Sequence, residues 1–198
     1  MTARGVLLVC ALAGAFAGAA AAAGSKPLPN FERVMTLNAP RTLENASLTD
    51  HDGVRQRISD LAGAPTFVFF GFTHCPDVCP TTLRKLALIK ASRAKELAGL
   101  RVVFISVDGE RDTPPVIKEY LQSFSKDFTG LTAPSEEVRK LALSLSAPFF
   151  KDPPRDGEYV VQHSTRVYAL DKQGRLRAEL YDASAEAMVG VARALLAE

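Results

Sequence analysis

Phe67-Val68-Phe69-Phe70-Gly71-Phe72-Thr73-His74-Cys75-Pro76-Asp77-Val78-Cys79-Pro80 joins an apolar run to a pair of thiols without a break. Thr66–Phe72 is apolar at odd and even positions alike and rich in aromatic residues, the signature of a central strand covered on both faces. After Cys79, Pro80 suits the first position of a helix, where its missing N–H costs little. Leu83, Leu86, Ala87, Ala94 and Leu97 then mark one apolar helical face that ends near Gly99. The dithiol therefore falls where a buried strand hands over to a helix. The free N–H groups and the dipole at such a helix start favour thiolate over thiol. Residues four apart share a helix face, so both sulfurs can converge on one atom.

Outward from this stretch, strands and helices alternate. Ala46–Ile58 reads as a hairpin turning at Asp50-His51-Asp52-Gly53, and Ser59-Asp60-Leu61 as a short helical turn. Arg101–Val107 is a second apolar strand. Thr113-Pro114-Pro115 starts a helix that Thr113 caps, with Ile117, Tyr120, Leu121 and Phe124 as its buried face. Ser135-Glu136-Glu137 opens a further helix through Ser146, its two acids facing the positive end of the dipole. Ala147–Gly157 is a proline-rich loop, Tyr159–Leu170 a strand, Asp171–Gly174 a tight turn, Arg175–Tyr181 the partner strand and Ala185–Ala197 a closing helix. This order predicts an α/β fold of thioredoxin type: a central mixed sheet flanked by helices, with an extra N-terminal hairpin.

The chain has 198 residues, 47% hydrophobic and 23% charged, enough for one domain with an appendage and a core that needs no disulfide staples. A formal net charge of +2, with no concentrated Lys/Arg patch, argues against nucleic acid as a partner. Residues 1–23 differ from the rest. Arg4 carries the sole charge there, Val6–Ala23 is apolar, and Ala21-Ala22-Ala23 offers small residues for a signal peptidase. The segment reads as a cleaved signal peptide or as a retained N-terminal membrane anchor, its 18 apolar residues lying near the lower limit for a span. Lipidation at Cys10 is disfavoured by the β-branched Val9 before it. Residues 24–44 are expected to form a linker, with Gly24–Pro40 free of regular structure, and 45–198 the folded domain.

With Cys10 assigned to the export segment, the domain retains two cysteines, Cys75 and Cys79. A disulfide between them would close so short a loop that stabilisation is not its purpose. Redox chemistry and metal binding remain. Two thiolates are soft donors that select Cu(I), zinc or iron–sulfur clusters, and two are too few for a four-coordinate structural zinc site. One added nitrogen would complete a three-coordinate copper site. Of the three histidines, His51 reads as a solvated hairpin-turn residue and His74 as a neighbour that flanks the thiols. His163, entering the hairpin strand that passes over the dithiol in a thioredoxin-like sheet, reads as a ligand or redox partner.

Three runs are similar to the Sco/SenC proteins, thioredoxin-fold copper chaperones for respiratory oxidases. They are Phe70–Leu83 (Phe-Gly-Phe-Thr-His-Cys-Pro-Asp-Val-Cys-Pro-Thr-Thr-Leu), Ile105–Pro114 (Ile-Ser-Val-Asp-Gly-Glu-Arg-Asp-Thr-Pro) and Tyr159–Ser164 (Tyr-Val-Val-Gln-His-Ser). The resemblance spans roughly Asn45–Ala197. It implies that Cys75, Cys79 and His163 bind copper, Cu(I) or Cu(II), one per chain. It further implies service to the CuA-containing subunit of cytochrome c oxidase, by delivering copper, by reducing that centre's cysteines, or both. Other periplasmic copper carriers are implied partners. The implied location is periplasmic, soluble or anchored to the inner membrane through the N-terminal segment. Two positions depart from the family pattern: Gly109 stands where Pro is usual, expected only to loosen a loop, and Gln162 where Asp often precedes the histidine. Asp108 and Asp112 are expected to be solvated charges capping the next helix, or else to support the copper site or a partner.

The principal alternative is a thiol–disulfide oxidoreductase that uses Cys75 and Cys79 as a redox pair without stable metal. Against general thioredoxin activity, His163-Ser164-Thr165 lacks the proline that thioredoxins place opposite their cysteines. A thiol peroxidase is suggested by fold kinship alone.

Overall fold

A computed structural model describes residues 26–198; the leader segment read from residues 1–23 lies outside them. In chain order the elements are β1 (Val34–Arg41), β2 (Ser47–Asp50), β3 (Arg55–Arg57), a 3-10 turn (Ile58–Leu61), β4 (Thr66–Gly71), α1 (Val78–Ser92), β5 (Arg101–Ser106), α2 (Pro114–Gln122), β6 (Phe128–Thr132), α3 (Ser135–Ser144), β7 (Phe150–Lys151), β8 (Val161–Gln162), β9 (Val167–Leu170), β10 (Leu176–Leu180) and α4 (Ala185–Leu196). Eight strands form one mixed sheet in the order β1-β10-β9-β4-β5-β6-β2-β3. The expected thioredoxin-like α/β sheet with its added hairpin is the fold observed.

β4 lies at the middle of that order, parallel to β5 and antiparallel to β9. All six of its residues are buried, as a strand covered on both faces requires. Leu83, Leu86 and Ile89 turn α1 onto the core. Ser184 caps α4 by accepting the Ala187 N–H at 3.1 Å.

Several expectations are corrected. Gly24–Pro40 is not a structureless linker throughout: Val34–Arg41 forms β1, paired antiparallel with β10. Its proline content obscured this, but β1 is an edge strand whose register shifts between Thr36 and Arg41, and such a site tolerates Pro40. Upstream, Leu28 is buried, and the Phe31 ring occupies the space that a side chain at Gly190 would need. β6 was not foreseen, because Phe128-Thr129-Gly130-Leu131-Thr132 is short and interrupted by glycine. A Cβ on Gly130 would lie 2.1 Å from Ile117 Cγ2, so α2 can lie on β6 only through a glycine.

Helix α1 begins at Val78 rather than Pro80, so that Cys79 belongs to its first turn, and it ends at Ser92 before a run of turns. Thr113 stands at the N-cap of α2 but makes no side-chain capping bond. The strand expected over Tyr159–Leu170 is broken: β8 pairs with β7 in a separate ribbon, and β9 rejoins the main sheet. His163 lies in the break between them. Among the described residues no helix is long and apolar enough to cross a membrane.

Candidate metal centre

At the end of β4 the chain turns through Thr73–Asp77, with the Cys75 N–H donating to the Phe72 carbonyl at 3.2 Å. The Cys79 N–H, in the first turn of α1, donates to Cys75 Sγ at 3.4 Å. One of the helix's otherwise unpaired donors thus points at a sulfur. Cys79 is fully buried and Cys75 is 9% exposed; both are free thiols. The Cys79 thiol donates to Cys75, and this is the main reason that the Cys75 pKa falls to about 5; backbone N–H groups of Cys79 and Asp77 add to it, against the opposing effect of burial. The same bond, together with burial, pushes Cys79 upward. The two shifts run in opposite directions, so Cys75 is the cysteine that ionises first in the metal-free pair.

This makes a testable reactivity profile. A depressed pKa means that the Cys75 thiolate is present above about pH 5 and is lost as pH falls through that value. Alkylation of the metal-free protein by iodoacetamide, mapped by mass spectrometry, should occur at Cys75 and level off before neutrality, with Cys79 spared. A rate still climbing through about pH 8–9, as for an ordinary cysteine, would contradict it.

His163 reaches the dithiol from the opposite side of the site, 84 residues on. Its Nδ1–H donates to the Ser164 carbonyl at 2.8 Å. A carbonyl can only accept, so Nδ1 carries a proton, and in the neutral ring Nε2 is the nitrogen with the free lone pair. Nε2 lies 3.4 Å from Cys79 Sγ. The rings of Phe69 and Phe72 stand edge-on to the imidazole, with centroids at 6.2 and 5.7 Å, and hold its plane. The potential ligand atoms of Cys75, Cys79 and His163 all lie within 4.8 Å of one another. A cleft of about 240 Å³ bordered by Cys75, Pro76, Val160 and His163 opens this cluster to the surface.

The other two histidines stand apart. His74 is half-exposed, with Nδ1 3.1 Å from Thr73 Oγ1. His51 is not the solvated turn residue expected: its N–H donates to the Gly130 carbonyl and its Nδ1 accepts the Gly130 N–H, each at 2.9 Å. It fastens the β2–β3 turn to β6.

The acids after β5 are the larger correction. Asp108 and Asp112 are not solvated caps but fully buried. Asp112 accepts from Ser106 Oγ at 2.6 Å, from Thr73 Oγ1 at 2.6 Å and from the Thr73 N–H at 3.0 Å, so it ties down the loop that carries Cys75. Burial raises its pKa, with these donors acting in opposition. Asp108 accepts from Arg111 Nε at 2.5 Å and from the Tyr159 hydroxyl at 2.6 Å. Gly109 does more than loosen this loop: a Cβ there would lie 2.1 Å from the Ala133 carbonyl oxygen, and this backbone excludes the proline usual in the resembled family. Gln162 is exposed and donates to Asp152 Oδ2 at 2.9 Å.

With this geometry described, comparison with known families gives a match to the SCO1/SenC model over residues 35–196. The chain belongs to the SCO1/SenC family. Among curated SCO1/SenC relatives, it is 41% identical over 129 residues to the mitochondrial SCO1 homolog 1 of Arabidopsis thaliana, covering 64% of this chain and 38% of that protein. It is 34% identical over 148 residues to a putative copper-binding protein of Stutzerimonas stutzeri, covering 74% and 72% respectively. The chain thus spans well under two thirds of the Arabidopsis protein. Among solved structures it resembles Bradyrhizobium japonicum ScoI with copper bound, at 36% identity and a TM-score of 0.70, covering 77% of this chain and 99% of that one.

Two features of this site were not singled out from the sequence. Gly71 is one: a glycine inside an aromatic strand is itself a signal of close approach. The buried Asp108–Tyr159 contact is the other, and an acid directly after an apolar strand is its only local trace.

Proposed function

We propose that this protein is a copper metallochaperone that loads copper at Cys75, Cys79 and His163 and delivers it to the CuA centre of cytochrome c oxidase during its assembly. The observation that carries the reading is the convergence of two sulfurs and a lone-pair nitrogen within 4.8 Å beside a surface cleft. The donor set fits copper as cargo. Two thiolates suit soft Cu(I), and imidazole serves both oxidation states. Three donors leave copper accessible to an incoming ligand, and stepwise ligand exchange at the open cleft is then the transfer route. In the protein as exported to the periplasm, the N-terminal segment either is removed or holds the domain at the inner membrane. The subunit carrying CuA is the acceptor, with other periplasmic copper carriers as donors.

A second reading, reduction of the acceptor's disulfide, is favoured by the unequal thiols. Cys75, the more exposed, is poised as a nucleophile, and buried Cys79 lies next to it to resolve a mixed disulfide. Incubating copper-loaded protein with an apo-CuA domain separates the two. Chaperoning moves copper into a reduced acceptor. Reduction converts an oxidised acceptor to its dithiol while Cys75 and Cys79 become a disulfide. Failure of the loaded protein to move copper into a reduced acceptor would overturn the first reading.

A further inference from the structure

His163 is delivered by a poorly anchored piece of chain. The β7–β8 ribbon has two residues per strand and does not join the main sheet. A ladder of that length is marginal by itself. Val161 is buried, yet Phe150 and Val160 are exposed. Lys151 pairs with Glu110 and Gln162 bonds Asp152 within the ribbon, and two further ties reach one buried carboxylate in the main body of the fold. Asp108 Oδ1 accepts the Tyr159 hydroxyl at 2.6 Å, two residues before β8, and lies 3.5 Å from Lys151 Nζ in β7. Arg111, bonded to the other oxygen of Asp108, lies over the Tyr159 ring at 3.7 Å and faces Phe72 at 5.8 Å. Phe72 in turn stands against His163. Contact therefore runs unbroken from Asp108 to the imidazole.

We propose that Asp108 and Tyr159 are positioning residues for His163: their hydrogen bond fixes the ribbon that holds the imidazole over the dithiol, and so sets how tightly the site holds Cu(II) relative to Cu(I). The second half of this inference rests on the copper reading above. Cu(I) is satisfied by the two thiolates of α1 and its preceding turn, neither of which rides on the ribbon. Cu(II), a harder ion, depends on the nitrogen donor. Loosening the ribbon therefore withdraws a ligand from one oxidation state more than from the other.

Tyr159→Phe is the test, because it removes a single oxygen and keeps the ring over Arg111. In the metal-free protein, hydrogen exchange of the Glu158–His163 amides should quicken about tenfold or more, the worth of a hydrogen bond to a charged group, while α1 is unchanged. In competition titrations, Cu(II) affinity should fall about tenfold, as for loss of a group that orients a ligand, with Cu(I) affinity unaltered. In a His163→Ala background the same change should have no further effect on Cu(II). Unchanged exchange would overturn the positioning role. Equal loss of both copper states would overturn the selectivity and leave a general structural effect. A wild-type protein that takes up no copper would overturn the function proposed above, and the exchange measurement would still decide the positioning role.

Discussion

Cys79→Ala should leave a folded protein that no longer retains copper. Cys79 is fully buried in the first turn of α1, and its sulfur lies 3.4 Å from His163 Nε2. In the proposed site it is therefore the donor that joins the two halves. A four-ligand zinc site is worth roughly 10–16 kcal/mol, or about 3 kcal/mol per ligand, so removal of one thiolate should weaken binding more than about a hundredfold. The change also removes the thiol that donates to Cys75, so the remaining cysteine loses the main cause of its depressed pKa. Truncation of one buried heavy atom costs the fold only about 1 kcal/mol. Copper per chain after desalting, read beside far-UV circular dichroism, checks both parts. Copper retained at the wild-type level would show that Cys79 is not a ligand.

Gly71→Ala should damage stability and site together, without touching any ligand residue. An added Cβ would lie 2.7 Å from Phe104 Cε2, 2.8 Å from Cys79 Sγ and 3.3 Å from Phe69 Cε1. None of these neighbours is the free end of a flexible chain. Phe69 and Phe104 are fully buried, and Cys79 is held by its helix. Overpacking of this kind costs about 1–3 kcal/mol, and relief requires Cys79 Sγ to move. The expected result is a lowered urea midpoint and copper affinity reduced at least tenfold, because a ligand displaced by even half an ångström is badly placed. Chemical denaturation and a copper competition titration measure the two effects. Wild-type affinity in a destabilised variant would show that the packing and the site are separable.

What was legible in the chain follows from where its information is local. Thr66–Phe72 announced a buried central strand by composition, and the Cys75–Cys79 spacing announced a converging dithiol through helix geometry. Both depend on neighbours within a few residues. His163 was singled out by its place in the hairpin and, more firmly, by family resemblance, since nothing in Val161-Gln162-His163 alone points to a partner 84 residues away. The misses share a cause. β1 is a strand because β10 offers it an edge, and β6 tolerates Gly130 because α2 needs the space. Asp108 reads as a surface charge until Arg111, Lys151 and Tyr159 surround it. In each case a distant element overrides the local preference, and sequence periodicity carries no record of that element.

The central claim, that Cys75, Cys79 and His163 hold one copper ion in common, is tested most directly by X-ray absorption spectroscopy of the Cu(II)-loaded chain. The predicted first shell contains two sulfurs and one imidazole nitrogen, the nitrogen being lost in His163→Ala. A shell with fewer than two sulfurs, or a spectrum unchanged in His163→Ala, would contradict it.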